Sequence, residues 1–293
     1  MSPMLTAGID HVGLTVPDLD QAVATVQGLL DGGLCYIEGP IQEPEPGWMA
    51  KKLGATRATS LRVAAMNVGG ANLELFEYRV KNGSRECRAA GRENGFALLI
   101  ESPDMAKLSA RLAEVPHKSW KWGGGDVLVK TASGLRLLIR KAAEDRLTPM
   151  VFLGTGEFEV LVPDFLTLFE MKEVRRITAL GAVGVVLRGH AGANLAVLKA
   201  NQDPVRPANS EPGGHHVAFH ADDVDAAASR LSKAGYRPFG EPETIADGPI
   251  AGDRWVYLGS PTGLQLELIH MPDGNLPYEA AAGACRSPIR KGM

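Results

Sequence analysis

The sequence predicts an α+β protein in which four βαβββ modules pair into two cup-shaped sheets. One pattern occurs four times along the chain: an alternating apolar segment, an acidic start signal and an apolar-periodic helix, followed by short β-type runs and one strong final strand. Such a repeat defines the structural unit. A βαβββ module covers one sheet face with its own helix and leaves the other open, so four modules are expected to form two cups.

Each repeat begins with a strand followed by a helix. The four segments are HVGLTVPDLDQAV (residues 11–23), ALLIESPDMAKL (97–108), EFEVLVPDFLTL (157–168) and HVAFHADDVDAAA (216–228). In each segment an aspartate follows the alternating apolar run, and its side chain is expected to cap the next helix. These expected caps are Asp18, Asp104, Asp164 and Asp223.

Each repeat ends in an apolar strand that a glycine-containing turn precedes or opens. These strands are ANLELFEY (71–78), GLRLLIRK (134–141), ANLAVLKA (193–200) and GLQLELIH (263–270). Polar breaks separate the repeats. We therefore predict modules at residues 1–80, 93–141, 150–200 and 213–279, and a flexible tail at 280–293.

Composition excludes several classes of function. With 31 basic and 34 acidic side chains, the net charge of −3 gives no general attraction to nucleic acid or to anionic membranes. Three distant cysteines argue against a disulfide framework, and no apolar run is long enough to span a membrane. We expect a cytoplasmic protein, a monomer or homodimer, whose partner is a small-molecule substrate.

Two modules carry a histidine and a glutamate on the predicted concave face. Strand alternation points His11 of the first strand and Glu74 of the last strand into the cup of the first module. In the fourth module it points His216 and Glu267 inward in the same way. Phe76 shares the inward face with Glu74, and His220 shares it with His216.

Two neutral imidazoles and two carboxylates around one centre suit a divalent ion with positions left for water or substrate. A single histidine or glutamate on a strand is usually structural, but here both recur at equivalent repeat positions. We predict one divalent metal ion bound by His11, Glu74, His216 and Glu267, with Zn, Ni, Fe, Mn and Co not distinguished.

The two middle modules lack this set. Alignment of the repeats places Ala97 and Leu138 at the histidine and glutamate positions of the second module. It places Glu157 and Ala196 at those of the third. Alanine and leucine cannot bind a metal, so both middle modules are expected to be structural.

These residues resemble the vicinal oxygen chelate superfamily, which includes glyoxalase I, methylmalonyl-CoA epimerase, extradiol dioxygenases and bleomycin- or fosfomycin-resistance proteins. Residues 8–78 look like the first module of small two-module glyoxalase-like members, and residues 213–274 look like their second. Residues 81–205 look like two further modules between these halves. This split favours pairing the first module with the fourth and the second with the third, because that arrangement collects all four ligands in one cup.

The resemblance implies a metal-dependent lyase, isomerase or epimerase. In such enzymes the metal binds two vicinal oxygens of the substrate and stabilises an enolate, while a carboxylate moves the proton. Carried over to this chain, His11, Glu74 and His216 are ligands, and Glu267 is a ligand that detaches to act as the base. Glu74 could exchange that role, because the two halves are pseudo-symmetric.

Most of the further candidate residues have two interpretations each. Trp48 and Met49, in a proline-rich loop, form either a lid over the substrate or a loop anchor. Phe76 faces the cup and is expected to contact the substrate. His220 either lies near the substrate or is a core histidine, and Arg254 binds an anionic substrate group or forms a surface ion pair. Two other functions stay open, an extradiol ring-cleaving dioxygenase and a non-catalytic small-molecule binding protein on the same fold.

Overall fold

The computed structural model describes residue 6 and residues 8–81, 95–201 and 206–271. The predicted tail at 280–293 lies outside these residues. The first module consists of β1 (Gly8–Thr15), α1 (Leu19–Leu30), β2 (Gly33–Gln42), α2 (Trp48–Leu53), β3 (Ala58–Val68) and β4 (Ala71–Val80). The second consists of β5 (Phe96–Ser102), α3 (Met105–Ala113), β6 (His117–Lys121), β7 (Val127–Thr131) and β8 (Arg136–Lys141).

The third module consists of β9 (Arg146–Leu153), α4 (Thr155–Thr167), β10 (Lys172–Ala179), β11 (Ala182–Arg188), β12 (Ala191–Gly192) and β13 (Asn194–Lys199). The fourth consists of β14 (Val217–His220), α5 (Val224–Lys233), β15 (Arg237–Pro238), β16 (Glu243–Thr244), β17 (Arg254–Gly259) and β18 (Gln265–His270). Within the described residues, no helix is both long and apolar enough to cross a membrane.

The strands form two mixed sheets, and each sheet joins two modules. In one sheet the order is β15-β17-β18-β14-β1-β4-β3-β2, with β12 on β1 and β16 on β17. In the other it is β10-β11-β13-β9-β5-β8-β7-β6. The predicted fold class and pairing are therefore confirmed: the first module joins the fourth through β1 and β14, and the second joins the third through β5 and β9. We call the concave faces of these sheets the first cup and the second cup.

Three of the four expected caps hold their helices. The carboxylates of Asp18, Asp104 and Asp223 each accept a hydrogen bond from the backbone N–H three residues ahead, at the start of α1, α3 and α5. Asp164 lies inside α4 instead, and accepts a hydrogen bond from the Tyr236 hydroxyl at 2.8 Å. The prediction of a strand at residues 157–162 is therefore wrong.

The first strand of the third module lies upstream, at Arg146–Leu153. The segment around Glu157 alternates in polarity like a strand, but it follows Gly154, where the Glu157 carboxylate accepts the backbone N–H at 2.9 Å and stabilises the first turn of α4. Glu157 also pairs with Arg206 at 2.6 Å. The prediction that Glu157 occupies the histidine position of the third module is therefore wrong.

The helix-covered faces of both sheets share one core. Leu14 and Val217 of one sheet belong to the same buried cluster as Leu98 and Val197 of the other. Phe219 of β14 lies within 5.9 Å of Phe165 of α4, measured between ring centroids. The second pair of modules thus supports the helical side of the first, and both cups open away from this shared core.

Candidate metal centre in the first cup

Four buried side chains converge in the first cup. Nε2 of His11 lies 3.3 Å from Oε2 of Glu74 and 3.2 Å from Oε2 of Glu267. Nε2 of His216 lies 2.8 Å from Oε2 of Glu267 and 3.0 Å from Nε2 of His11. Ligand atoms of His11, Glu74 and His216 all lie within 4.8 Å of one another, which is close enough for one ion to bridge them.

Strand pairing brings these residues together. Within the first module β1 and β4 run parallel, with Gly13 opposite Glu74. Within the fourth module β14 and β18 run parallel, with Ala218 opposite Glu267. The junction of β1 with β14 then brings the two halves into contact, and His11 faces Ala218 across it. Each module contributes one histidine and one glutamate.

Burial and the neighbouring charges shift the pKa values of the two imidazoles. Burial disfavours a charge on His11, but the carboxylate of Glu74, followed by those of Asp10 and Glu267, outweighs this and raises the pKa of His11 to about 10. Burial lowers the pKa of His216 well below its usual value, and the positive charge on His11 lowers it further. The site therefore holds a neutral imidazole beside a cationic one.

This donor set fits a divalent cation. Buried carboxylates require a positive partner, because an uncompensated charge away from water is costly. In the metal-free protein a proton on His11 supplies it. A divalent ion can replace that proton and accept lone pairs from two imidazoles and two carboxylates, a ligand set suited to a borderline or hard metal.

No protein-family model matches the chain. A stretch of 74 residues, 25% of this chain, is 61% identical to 2-epi-5-epi-valiolone epimerase from Actinomyces sp. The matched stretch spans 40% of the length of that relative.

Solved structures match almost the whole chain. Glyoxalase I from Zea mays aligns over 90% of this chain and 92% of its own, with a TM-score of 0.63 and 16% sequence identity. A putative dioxygenase from Bacillus subtilis subsp. subtilis str. 168 aligns over 93% of this chain and 87% of its own, with a TM-score of 0.59 and 15% identity. The chain has the fold of these two proteins. The fold that the resemblance of its sequence implied is thereby confirmed.

Strand alternation failed to predict that Asp10 contacts the candidate ligand His11. Oδ1 of Asp10 lies 2.7 Å from Nδ1 of His11, although neighbouring residues on a strand normally face opposite ways. The pairing of β1 with β14 shifts register between Ile9 and His11, a bulge that turns the Asp10 side chain toward the imidazole. The DH dipeptide was the one sequence signal available.

His215, which the sequence did not place at the site, contacts one of the candidate ligands. His215 is buried, stacks on Phe76 with 4.0 Å between ring centroids, and its Nδ1 contacts Nδ1 of His216. Its Nε2 lies 2.6 Å from the hydroxyl of Tyr78. His215 precedes β14, so strand alternation does not apply to it.

Gly13 leaves the space that the His216 ring occupies. A Cβ built at Gly13 would stand 2.5 Å from Cε1 and 2.6 Å from Nδ1 of His216. We expect Gly13→Ala to displace this ring and weaken Co²⁺ binding at least about tenfold, as measured by titration of the visible absorption. Gly28→Ala is the matched control, because nothing lies within 4 Å of a Cβ at that position in α1. Equal Co²⁺ affinity in the two variants would contradict this role of Gly13.

Trp48 and Met49 open α2. Met49 is fully buried in a cluster with Tyr78 and Tyr257, and its backbone N–H donates to Oε1 of Glu43 at 3.1 Å. This placement favours the anchoring interpretation over a mobile lid.

His220 and Arg254 lie apart from the four candidate ligands. His220 is buried with its ring against His270, at 5.6 Å between centroids. Arg254 forms a two-point ion pair with Asp225 of α5, with Nε–Oδ2 at 2.5 Å and Nη2–Oδ1 at 2.6 Å. The placement of Arg254 favours the surface ion pair.

In the second cup, three of the four positions that correspond to the candidate ligands hold apolar side chains. Ala97, Leu138 and Ala196 belong to its buried cluster. In the first cup Gly13 lies opposite His216, and in the second cup Leu99 lies opposite Thr148 in the same way. Thr148 therefore occupies the histidine position that the sequence had assigned to Glu157.

We expect about one divalent ion per chain, because the candidate ligands converge in the first cup, whereas three apolar side chains and a threonine occupy the corresponding positions of the second. Elemental analysis of metal-loaded, desalted protein measures this ratio. Glu157→Ala should leave it unchanged, since Glu157 caps α4. Two ions per chain, or loss of metal in a folded Glu157→Ala variant, would contradict the assignment.

Proposed function

We propose that this protein is a metal-dependent epimerase or isomerase that moves a proton on a small substrate with two vicinal oxygens. The observation that carries the proposal is the convergence of two histidines and two glutamates in one buried cup. The stretch 61% identical to an epimerase supports this class of reaction. The fold shared with a glyoxalase I and a putative dioxygenase is compatible with it.

His11, Glu74, His216 and Glu267 would hold the ion. When bound, a divalent cation acts as a Lewis acid that lowers the energy of negative charge on a substrate carbonyl oxygen, as in an enolate. The neutral imidazole of His216 and the carboxylates of both glutamates are ligands of the required kind. Asp10 accepts the Nδ1 hydrogen bond of His11 and so fixes which ring nitrogen faces the site.

Glu267 and Glu74 are the candidate proton carriers. Epimerisation requires a proton to leave one face of a carbon and another to arrive on the opposite face. One carboxylate from each module meets this requirement, because β4 and β18 approach the centre from the two halves of the sheet. The Tyr36 hydroxyl donates to Oε1 of Glu74 at 3.2 Å and orients that carboxylate. Glu267 is proposed as the base that removes the proton.

Solvent deuterium exchange tests the proposal. Metal-loaded protein in D₂O is incubated with 2-oxoaldehyde thiol adducts, 2-methylacyl thioesters or 2-epi-5-epi-valiolone, and exchange is followed by NMR. We expect exchange at the carbon beside the carbonyl of one of these substrates, and no oxygen uptake with catechols. Oxygen uptake with a catechol would favour the dioxygenase instead, and tight binding of these compounds without exchange would favour a binding protein.

A further inference from the structure

The His216 ring has a partner on the side facing away from the candidate metal centre. Its Nε2 faces His11 and Glu267, while its Nδ1 contacts Nδ1 of His215. The opposite nitrogen of His215, Nε2, lies 2.6 Å from the hydroxyl oxygen of Tyr78. The contacts form a chain from Tyr78 through His215 to His216.

Proton counting gives this chain a direction. A neutral imidazole that donates its Nε2 lone pair to a metal carries its single proton on Nδ1. The Nδ1–H of His216 must then donate to Nδ1 of His215, which is an acceptor only when the proton of His215 is on Nε2. That Nε2–H donates in turn to the Tyr78 oxygen.

We infer that His215 and Tyr78 are positioning residues, which hold His216 in the tautomer and orientation that present its Nε2 lone pair to the metal. The inference rests on the proposed function, in which His216 is a ligand. Neither residue is placed among the ligands. Their effect reaches the site through His216 alone.

The surroundings of His215 fix its ring in this role. Phe76 stacks on it with an interplanar angle of 11°, and Tyr78 lies parallel to it at 5.8 Å between centroids. The Gly13 backbone also lies close to this ring, since a Cβ there would stand 3.2 Å from Nδ1 of His215. These contacts hold the Nδ1 edge of His215 against Nδ1 of His216.

The two candidate histidine ligands are therefore supported differently. The carboxylate of Asp10 faces Nδ1 of His11, whereas a neutral imidazole faces Nδ1 of His216. A carboxylate is ionised at neutral pH and in that state it always acts as a hydrogen-bond acceptor. An imidazole acceptor works in only one of its two neutral tautomers, so the support of His216 depends on a second contact, the one with Tyr78.

Tyr78→Phe tests this dependence with the smallest change. It removes one oxygen and keeps the ring that lies parallel to His215. Without that acceptor, the Nε2–H of His215 loses its hydrogen bond, so the tautomer that accepts from His216 is less favoured than in wild type. We expect Co²⁺ affinity to fall roughly tenfold in Tyr78→Phe and about 10–100-fold in His215→Phe.

Two further variants separate positioning from packing. His215→Asn keeps an acceptor near the Nδ1 position and is expected to recover part of the affinity lost in His215→Phe. His220→Phe also replaces a buried histidine, one whose ring lies against His270, and should leave Co²⁺ affinity unchanged. Circular dichroism melting checks that each variant is folded.

Nitrogen-15 NMR of histidine-labelled protein provides a readout independent of activity. In the Zn²⁺-loaded wild type we expect His216 protonated on Nδ1 and His215 on Nε2, and in metal-free Tyr78→Phe we expect a larger fraction of the His215 Nδ1 tautomer than in metal-free wild type. A His215 that carries its proton on Nδ1 in the loaded wild type would overturn the inference, as would wild-type Co²⁺ affinity in both His215→Phe and Tyr78→Phe. A wild type that binds no divalent ion would instead overturn the proposed function.

Discussion

Glu267→Gln is expected to bind metal but to lose proton exchange, with a rate about 10²–10⁴-fold below wild type. An amide oxygen can still coordinate a cation, whereas it cannot accept a proton at neutral pH. The carboxylate that the amide replaces lies 2.8 Å from Nε2 of His216 and 3.2 Å from Nε2 of His11, at the centre of the site. The deuterium exchange rate and the metal-to-protein ratio are both measured on the same preparation of each variant.

Glu74→Gln and Glu77→Gln complete this comparison. Glu74 is the pseudo-symmetric carboxylate, so its variant shows whether the second proton carrier is equally required. Glu77 lies on the same strand but pairs with Arg62 at 3.2 Å, away from the centre, and its variant should exchange at the wild-type rate. Full activity in Glu267→Gln would transfer the role of base to Glu74, and full activity in both site variants would rule out proton transfer by either carboxylate.

The repeats carried most of what the sequence could predict. His11 with Glu74 and His216 with Glu267 recur at matching positions, and each pair is adjacent because β1 pairs with β4 and β14 with β18. The pairing of the first module with the fourth followed from collecting these residues in one cup. The positions of the histidines and glutamates are local features of each module, so patterns of polarity record them.

The third module shows where local patterns fail. Pro149 lies within β9, opposite Leu98 of β5, although proline is rare inside a sheet and argues against a strand. The run from Glu157 to Val162 alternates like a strand yet forms α4, whose start is set by Gly154 and the Glu157 carboxylate. Strand pairing decided β9 and a local cap decided the start of α4, and neither was visible in the polarity of its own segment.

The contacts behind the candidate ligands were missed for a related reason. Asp10 reaches His11 through a register shift in the pairing of β1 with β14, and His215 lies outside β14, where strand alternation gives no direction for its side chain. Both depend on the geometry between modules. Sequence alternation therefore found the side chains that face the centre, and the structure was needed to find those that orient them.

His216→Ala and His11→Ala are expected to lose metal as well as activity, in contrast to Glu267→Gln. Each substitution removes a nitrogen ligand outright, and alanine offers no replacement donor. Since changing a residue that merely supports a ligand costs about 10–100-fold in metal affinity, loss of the ligand itself should cost at least about 100-fold. Co²⁺ titration by visible absorption and elemental analysis of the loaded protein measure this.

The decisive comparison is between buried histidines of one strand segment. His220→Ala removes an imidazole four residues beyond His216. The His220 ring lies against His270, so the Co²⁺ affinity of this variant should equal that of wild type.

His11→Ala should also leave Glu74, Glu267 and Asp10 without the cation that balances them, because the pKa of His11 is raised to about 10 by those acids. In the absence of metal we therefore expect a lower melting temperature for His11→Ala than for His216→Ala, whose imidazole is neutral. Wild-type Co²⁺ affinity in either ligand variant would remove that histidine from the centre, and affinity equal to wild type in both would leave the first cup without its proposed metal.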